Sequence, residues 1–378
     1  MKKALVFAAV SATFASAAYA QSSVTLYGVV DAGFSYVNNE ITTKANGDVS
    51  KGAAYRMTSG NLSGSRWGLR GAEDLGGGMK AIFTLESGFN VMNGTSAQDG
   101  RMFGRQAFVG VSSQFGTLTL GRQYDSMVDF VSPLTAAGSW GGTYFSHPFD
   151  NDNADSSLRI NNAVKYQSAN YAGLSFGGLY GFSNQTGGFA NNRAYSVGAG
   201  YQNGPIKLGA AYLQTQGVNT NTGGAVQDAP SADGISPALM SKNQRTWGAG
   251  GSYEFGPANV GVVYTSTRYQ FALSDGSLRL NNIEVNGRYN LTPALALGAA
   301  YTYVQGKATG GGVAAATHWN QFGLQADYAL SKRTDLYAEG VAALGTESAK
   351  GSTQIYGTNA PSSSKTQVVV TTGIRHRF

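Results

Sequence analysis

From Val24 onward the chain alternates apolar and polar positions. The run "VTLYGVVDAGFSYV" sets Val24, Leu26, Val30, Ala32, Phe34 and Tyr36 on one face of an extended strand and Thr25, Tyr27, Asp31 and Ser35 on the other. "KAIFTLESGF" sets Ala81, Phe83, Leu85 and Phe89 against Lys80, Thr84 and Glu86, and "NNIEVNGRYN" sets Ile283, Val285 and Tyr289 against Asn282, Glu284, Asn286 and Arg288. "NQFGLQADYAL" and the final "VVVTTGIRHRF" repeat the pattern. A period of two, recurring in run after run, predicts half-apolar β-strands. A β-sandwich carries the same alternation. Here, however, the apolar faces end in aromatics, among them Tyr36, Phe89, Tyr166, Phe182, Tyr201, Tyr253, Tyr289, Tyr328 and Phe378. Rings at both edges of an apolar band form the girdle of a transmembrane barrel; a sandwich core would place Val, Ile and Leu there.

The connections separate into two kinds. Short ones are turns, six of them bearing Gly, Asn or Pro ("EDLGGG", "SQFGT", "SANYAG", "QNGP", "EFGPAN" and "NLTPA") and the seventh the polar "LSKRTD". Between them lie long polar stretches over 37–61, 90–101, 124–157, 183–193, 215–243, 267–280, 305–317 and 343–366. Seven short turns and eight long loops join about sixteen strands and leave both termini on the short-turn side. Outer-membrane barrels have that layout and an even strand count. The expected fold is therefore all-β: a transmembrane antiparallel β-barrel of about sixteen strands, spanning residues 21–378. Closure would pair the first strand with the last, so the alternation has reason to run through to Phe378.

The opening "MKKALVFAAVSATFASAAYA" changes the picture only in compartment. Lys2 and Lys3, an apolar stretch and Ala18-Tyr19-Ala20 read as a signal peptide over 1–20, removed before Gln21. Beyond it no run of about 18 apolar residues occurs, so a helical span is not expected. The chain has no cysteine, 53 Gly and 21 Tyr, so backbone pairing and burial must hold it without disulfides or thiolate chemistry. Its formal charge of +6 falls to about +4 without Lys2 and Lys3, and no Lys/Arg run makes a basic stripe for nucleic acid.

The stretches "SSVTLYGVVDAGFSY", "SRWGLRGAEDLGGGMKAIFTLESGF", "GRQAFVGVSSQFGTLTLGRQYD", "RINNAVKYQSANYAGLSF", "LSKRTDLYAEG" and "GIRHRF" resemble the Gram-negative general porins, in order and along essentially the whole mature chain. The resemblance implies a trimeric, sixteen-stranded diffusion channel of the cell outer membrane, bounded by lipid and lipopolysaccharide, with no cofactor and no enzymatic activity. It also implies a third external loop folded into the lumen and a terminal aromatic, Phe378, read by the barrel-insertion machinery. The loop tip departs from the Pro-Glu-Phe-Gly-Gly turn of many members, with "SWGGTYFSHPFDNDNADSS" in that region.

A barrel this wide leaves an aqueous lumen that something must narrow. The candidate is the connection 124–157, with Asp125, Asp129, Asp150, Asp152 and Asp155. Opposing cations come from the strands. Trp67 and Leu69 take the lipid phase, so Arg66 and Arg70 point inward; Arg105 faces opposite to Phe108; Ile160, Val164 and Tyr166 leave Arg159 and Lys165 inward. In the family, arginines matching Arg66, Arg105 and Arg159 line the constriction. Arg122 is a fourth candidate, its phase ambiguous because Leu118 and Leu120 share it. Asp150 and Asp152 are the expected acidic partners, with Arg70, Lys80, Lys165, Asp31, Asp129 and Asp155 as further lumen-facing groups. The expected activity is passive diffusion of ions and small hydrophilic solutes, with a weak lean toward anions. A substrate-selective channel is the nearest alternative, but Tyr27 and Tyr337 make no continuous aromatic track. A structural or adhesive barrel and an outer-membrane enzyme are weaker ones. His147 beside Asp150 and Asp152 lacks a nucleophile in a recognisable setting. "DNDNAD" lacks the Gly and terminal Glu of a Ca²⁺ loop, so no metal is expected.

Overall fold

The structure, a computed structural model, describes residues 22–43, 46–217, 223–227, 241–272, 274–310 and 313–378. The expected signal peptide lies outside them. In chain order the strands are β1 (Ser23–Thr43), β2 (Val49–Ser59), β3 (Arg66–Gly76), β4 (Met79–Gly88), β5 (Gln106–Ser113), β6 (Gly116–Gln123), β7 (Ile160–Ser168), β8 (Leu174–Gly181) and β9 (Arg193–Asn203). There follow β10 (Ile206–Gln216), β11 (Ser241–Phe255), β12 (Ala258–Phe271), β13 (Ser277–Asn290), β14 (Leu295–Gly310), β15 (Val313–Ala329), β16 (Thr334–Gly345) and β17 (Thr366–Arg377). All pairings are antiparallel, and β1 closes the sheet on β17, from Val29 opposite Arg377 to Val37 opposite Val369. Closure leaves no sheet edge in hydrocarbon, the condition for a sheet to span a membrane.

Seventeen strands fill sixteen positions. The first half of β1 pairs with β3 and the second half with β2, on the same edge. β2 and β3 are thus one strand interrupted at 60–65. Asp31 faces the break: its carboxylate accepts from Leu62 N at 2.9 Å and Ser63 N at 2.7 Å, and Tyr337 donates to it at 2.6 Å. This lumen carboxylate holds the interruption in place.

The outward phase carries the large apolar side chains, exposed on the isolated chain: Leu26, Leu208, Val262, Ile283, Leu324 and Val370 among them. Such a surface is a liability in water and a match to lipid tails. No helix among the described residues is long and apolar enough to cross a membrane. All seven expected turns are found. Three of the eight expected long loops are mostly strand: β1 and β2 extend to Thr43 and from Val49, β12 and β13 to Phe271 and from Ser277, β14 and β15 to Gly310 and from Val313. The extensions are richer in polar residues and lack a sustained apolar outward phase, so ladder pairing continues where the alternation is broken.

Candidate functional site: the narrowed lumen

Residues 124–159, between β6 and β7, line the inner wall. Asp125 caps a short helix, α1 (Ser126–Phe130), accepting from Met127 N at 2.7 Å. Beyond it the chain is fastened to inward-phase side chains of successive strands. Ser126 N donates to Ser196 Oγ of β9 at 3.0 Å, Ala136 N to Glu284 of β13 at 2.7 Å, and Gln325 of β15 to Trp140 O at 2.6 Å. The Tyr144 hydroxyl reaches Ser35 of β1 at 3.0 Å. Met127, Phe130, Val131 and Leu134 pack with Ile160, Leu179, Leu213 and Val263 into an apolar core inside the barrel.

Wall glycines make room for this layer. A Cβ on Gly298 would overlap the Trp140 ring, one on Gly323 the Phe145 ring, and one on Gly198 the Phe130 ring. Gly298→Ala or Gly323→Ala is expected to destabilise by about 1–3 kcal/mol, the usual cost of overpacking. Thermal unfolding in detergent checks it, with Gly340→Ala, where a Cβ meets open space, as the neutral control.

The loop fills the side of the barrel under β9–β15 and leaves an opening against β1, β3–β5 and the start of β7, with a cavity of about 980 Å³. Arg66, Arg105, Arg159, Glu86, Tyr124 and Tyr27 line the wall side, and Asp155 with Ser132, Pro133 and Ser139 the loop side. Arg105 Nε donates to Glu86 at 2.8 Å and its Nη2 to the Tyr124 hydroxyl at 3.0 Å. Arg159 stacks over the Tyr124 ring, 5.3 Å from its centroid, and donates to Ser157 O at 3.0 Å. Tyr27 donates to the other Glu86 oxygen at 3.0 Å. Burial alone would raise the Tyr124 phenol; Arg105 and Arg159 outweigh it and hold it below its ordinary value. Burial pushes Asp155 up to about 6, against the pull of Arg159 and Arg105.

The other sequence-predicted residues stand elsewhere. Arg122 is buried: a bulge between Gly121 and Gln123 shifts the phase, turning it away from Leu118 and Leu120 toward Gly104 O at 2.8 Å and Asn161. It is not among the residues lining the opening. Asp150 and Asp152, expected there, are folded back. Asp150 accepts from Asp155 N at 2.8 Å and Ser157 N at 3.0 Å, and burial with Asp155 and Asp152 nearby pushes it well above the carboxylate range. Lys165 pairs with Asp129 at 2.6 Å and donates to Tyr124 O at 2.9 Å, bracing the loop's root. Arg70 stacks on Tyr27 at 5.4 Å, and Lys80 pairs across β3–β4 with Asp74 near the short turn. Phe378 exchanges two backbone hydrogen bonds with Gly28, each 3.1 Å.

Three site residues were missed. Glu86 has the inward phase, and its signal is a position two residues along from the partner of Arg66 and beside Gln106, the neighbour of Arg105. Tyr124, just past β6, had no periodic signal. Glu284 belongs to the loop's fastening. His147, fully buried, sits between two carboxylates, Nδ1 at 2.6 Å from Asp152 and Nε2 at 3.1 Å from Glu284. Thr265 donates to Asp152 at 2.6 Å. Burial disfavours the imidazolium, but Asp152 and then Glu284 outweigh it and push His147 up to about 10. At neutral pH both ring nitrogens donate, and the cluster is a clamp between loop and wall.

A sequence model of Gram-negative porins matches residues 5–346. An outer membrane porin protein of Bordetella pertussis is 36% identical over 382 residues, spanning 90% of this chain and 94% of that one. Outer membrane porin protein 32 of Delftia acidovorans is 31% identical over 100% of both chains. Among solved structures, the anion-selective porin from Comamonas acidovorans superposes with a TM-score of 0.73 at 26% identity, covering 95% of this chain and 100% of that one. A closed barrel with an apolar outer face, a narrowed polar lumen and these relatives give one conclusion: the chain belongs to the Gram-negative porins and forms an outer-membrane channel for passive diffusion.

Proposed function

We propose that the opening is the selectivity constriction, and that it favours small anions over cations without trapping them. The observation that carries this is the set of three arginines, Arg66, Arg105 and Arg159, facing Glu86 and Asp155 around one cavity. Asp99, at the same cavity, is paired with Arg101 at 3.1 Å. The unpaired balance is therefore positive and small, which suits a filter: passage needs binding weak enough to leave. The anion-selective relative is consistent with the same sign. Saturation by one solute would instead mark a substrate-selective channel, and a series of sugars of increasing size in bilayer conductance separates the two.

Asp155 gives this reading a pH test. Its pKa is raised to about 6, so it carries charge above that pH and loses it below. Acidification removes a negative charge from the opening, and anion preference is expected to rise between pH 7.5 and 5. Asp155→Asn should show the acid-state selectivity at both pH values. A wild-type reversal potential that does not move over that interval rules out Asp155 as a facing charge.

The same reading includes removal of residues 1–20 before Gln21, assembly as a homotrimer, recognition of Phe378 by the barrel-insertion machinery, and contact with lipopolysaccharide. A Vibrio cholerae outer membrane protein, described as a trimer form, shares the fold. The pairing of Phe378 with Gly28 supports a closing strand that must be complete for the barrel to seal.

A further inference from the structure

On the outside of the barrel four cations stand side by side. Arg245 of β11 pairs with Arg268 of β12, Arg268 with Arg279 of β13, and Arg279 with Lys307 of β14. Each is exposed and has the outward phase: Arg245 shares it with Trp247, Arg268 with Val262 and Tyr264, Arg279 with Ile283 and Val285, Lys307 with Tyr301 and Tyr303. Neighbouring strands lie about 4.8 Å apart, so three gaps spread the row over about 14 Å. Like charges directly opposite each other destabilise a sheet, and here the juxtaposition occurs three times running. None of the four makes a hydrogen bond or ion pair among the described residues, and Asp275, at the tip of the β12–β13 hairpin, is paired with none of them.

The height of the row is informative. From Arg279 to Tyr289 the strand rises about 33 Å, or about 25 Å in projection at ordinary barrel tilt, the height of the apolar band of outer-membrane barrels. Tyr289 marks the short-turn edge of that band and Arg279 the long-loop edge. Directly inward of the row, toward the band, lie Trp247 and Tyr264, with ring centroids 5.1 Å apart. The cations thus sit just above the aromatic girdle on the external side, where acyl chains give way to headgroups. A protein partner would need an apolar centre, and the row has none.

We propose that this row is a fixed binding site for the phosphate groups of a lipopolysaccharide headgroup in the outer leaflet. The proposal rests on the outer-membrane reading and adds to it a defined surface, the external rim of β11–β14. Anionic oxygens placed along the row supply a counter-charge that no described side chain provides, and arginine suits phosphate because its fork donates two parallel hydrogen bonds.

The test uses the full-length protein in detergent and two probes: bis-phosphorylated lipid A, and the same lipid after phosphatase treatment. The wild type is expected to bind the phosphorylated lipid more tightly than the treated one. Arg268→Gln with Arg279→Gln should lose about thirtyfold in affinity for the phosphorylated lipid, at about 1 kcal/mol per cation, and Arg268→Lys with Arg279→Lys should retain most of it. Unchanged single-channel conductance in the glutamine variant shows that the pore itself is intact, so loss of binding and loss of the channel are distinguishable. If that variant does not assemble, Lys307→Gln at the end of the row carries the test, with a loss of about fivefold. Equal affinity of wild type and glutamine variant for the phosphorylated lipid, or a wild type indifferent to phosphatase treatment, overturns the proposal.

Discussion

Replacing Arg66, Arg105 and Arg159 together by glutamine is expected to reverse the ion preference of the pore. A unit charge about 8 Å from a passing ion contributes about 0.5 kcal/mol at water's dielectric constant, so three contribute about 1.5 kcal/mol, or about tenfold in relative permeability. With the arginines gone, Glu86 and Asp155 remain at the cavity and their sign prevails. A reversal potential in a tenfold salt gradient should change sign between wild type and triple variant. The difference should shrink as salt is raised, because the screening length falls from about 10 Å at 0.1 M to about 3 Å at 1 M. The single variants are not equivalent. Arg66 makes no hydrogen bond or ion pair among the described residues, so Arg66→Gln reads the field alone. Arg105→Gln also strands Glu86, which keeps only Tyr27, and should shift selectivity further. A triple variant with the wild-type sign would remove these residues from the constriction.

The second large effect concerns the loop rather than the ions. His147→Gln leaves Asp152 and Glu284 buried without the cation between them, and breaking a buried ion pair from one side costs about 3–5 kcal/mol. Residues 124–159 are expected to lose their fixed position, with larger and noisier single-channel currents and a lower unfolding temperature. The clamp also has a pH limit. The folded pKa of His147, about 10, lies above its ordinary 6.5, so the stability it contributes is full below pH 6.5 and is lost as the pH rises through about 10. Wild-type current noise should therefore climb between pH 9 and 11, toward the level that His147→Gln shows throughout. Wild type and variant with the same quiet current across that range would exclude the clamp.

The barrel was legible because lipid imposes a rule on every spanning strand. Apolar Leu26, Phe34, Ile283 and Leu324 had to alternate with neighbours of the other phase, and six of the seven turns carry Gly, Asn or Pro. The rule ends at the membrane, so the extensions of β12–β15, where the outward alternation stops, read as loops. Arg66 was legible for the same reason, being flanked by Trp67 on the lipid phase. Arg105 and Arg159 reach the opening although the phase expected of their neighbours fails: Val109 and Val111, not Phe108, are the exposed positions of β5, and Ile160 packs in the core inside the barrel. Arg122 escaped because one extra residue at a bulge reverses every phase after it. The loop obeys no period. Nothing in "DNDNAD" tells which aspartates turn back to bind the loop's own N–H groups and which one, Asp155, faces the water. The wall glycines carried a signal that went unread: Gly198, Gly298 and Gly323 lie on the inward phase, where a single-layered lumen would have polar side chains.

Almost every part of the opening, from Tyr27 to Arg159, comes from the first half of the chain, with Tyr356 and Gly357 the exceptions. The later strands supply most of the groove that the loop is seated in and the row of outward cations at the external rim. On the two proposals, ion preference and headgroup binding are therefore written in separate stretches of the polypeptide. A chimaera that exchanged β11–β14 with a relative would inherit new lipid contacts and keep its own filter, provided the exchanged wall preserved the small residues and the Glu284 acceptor on which the inner layer sits.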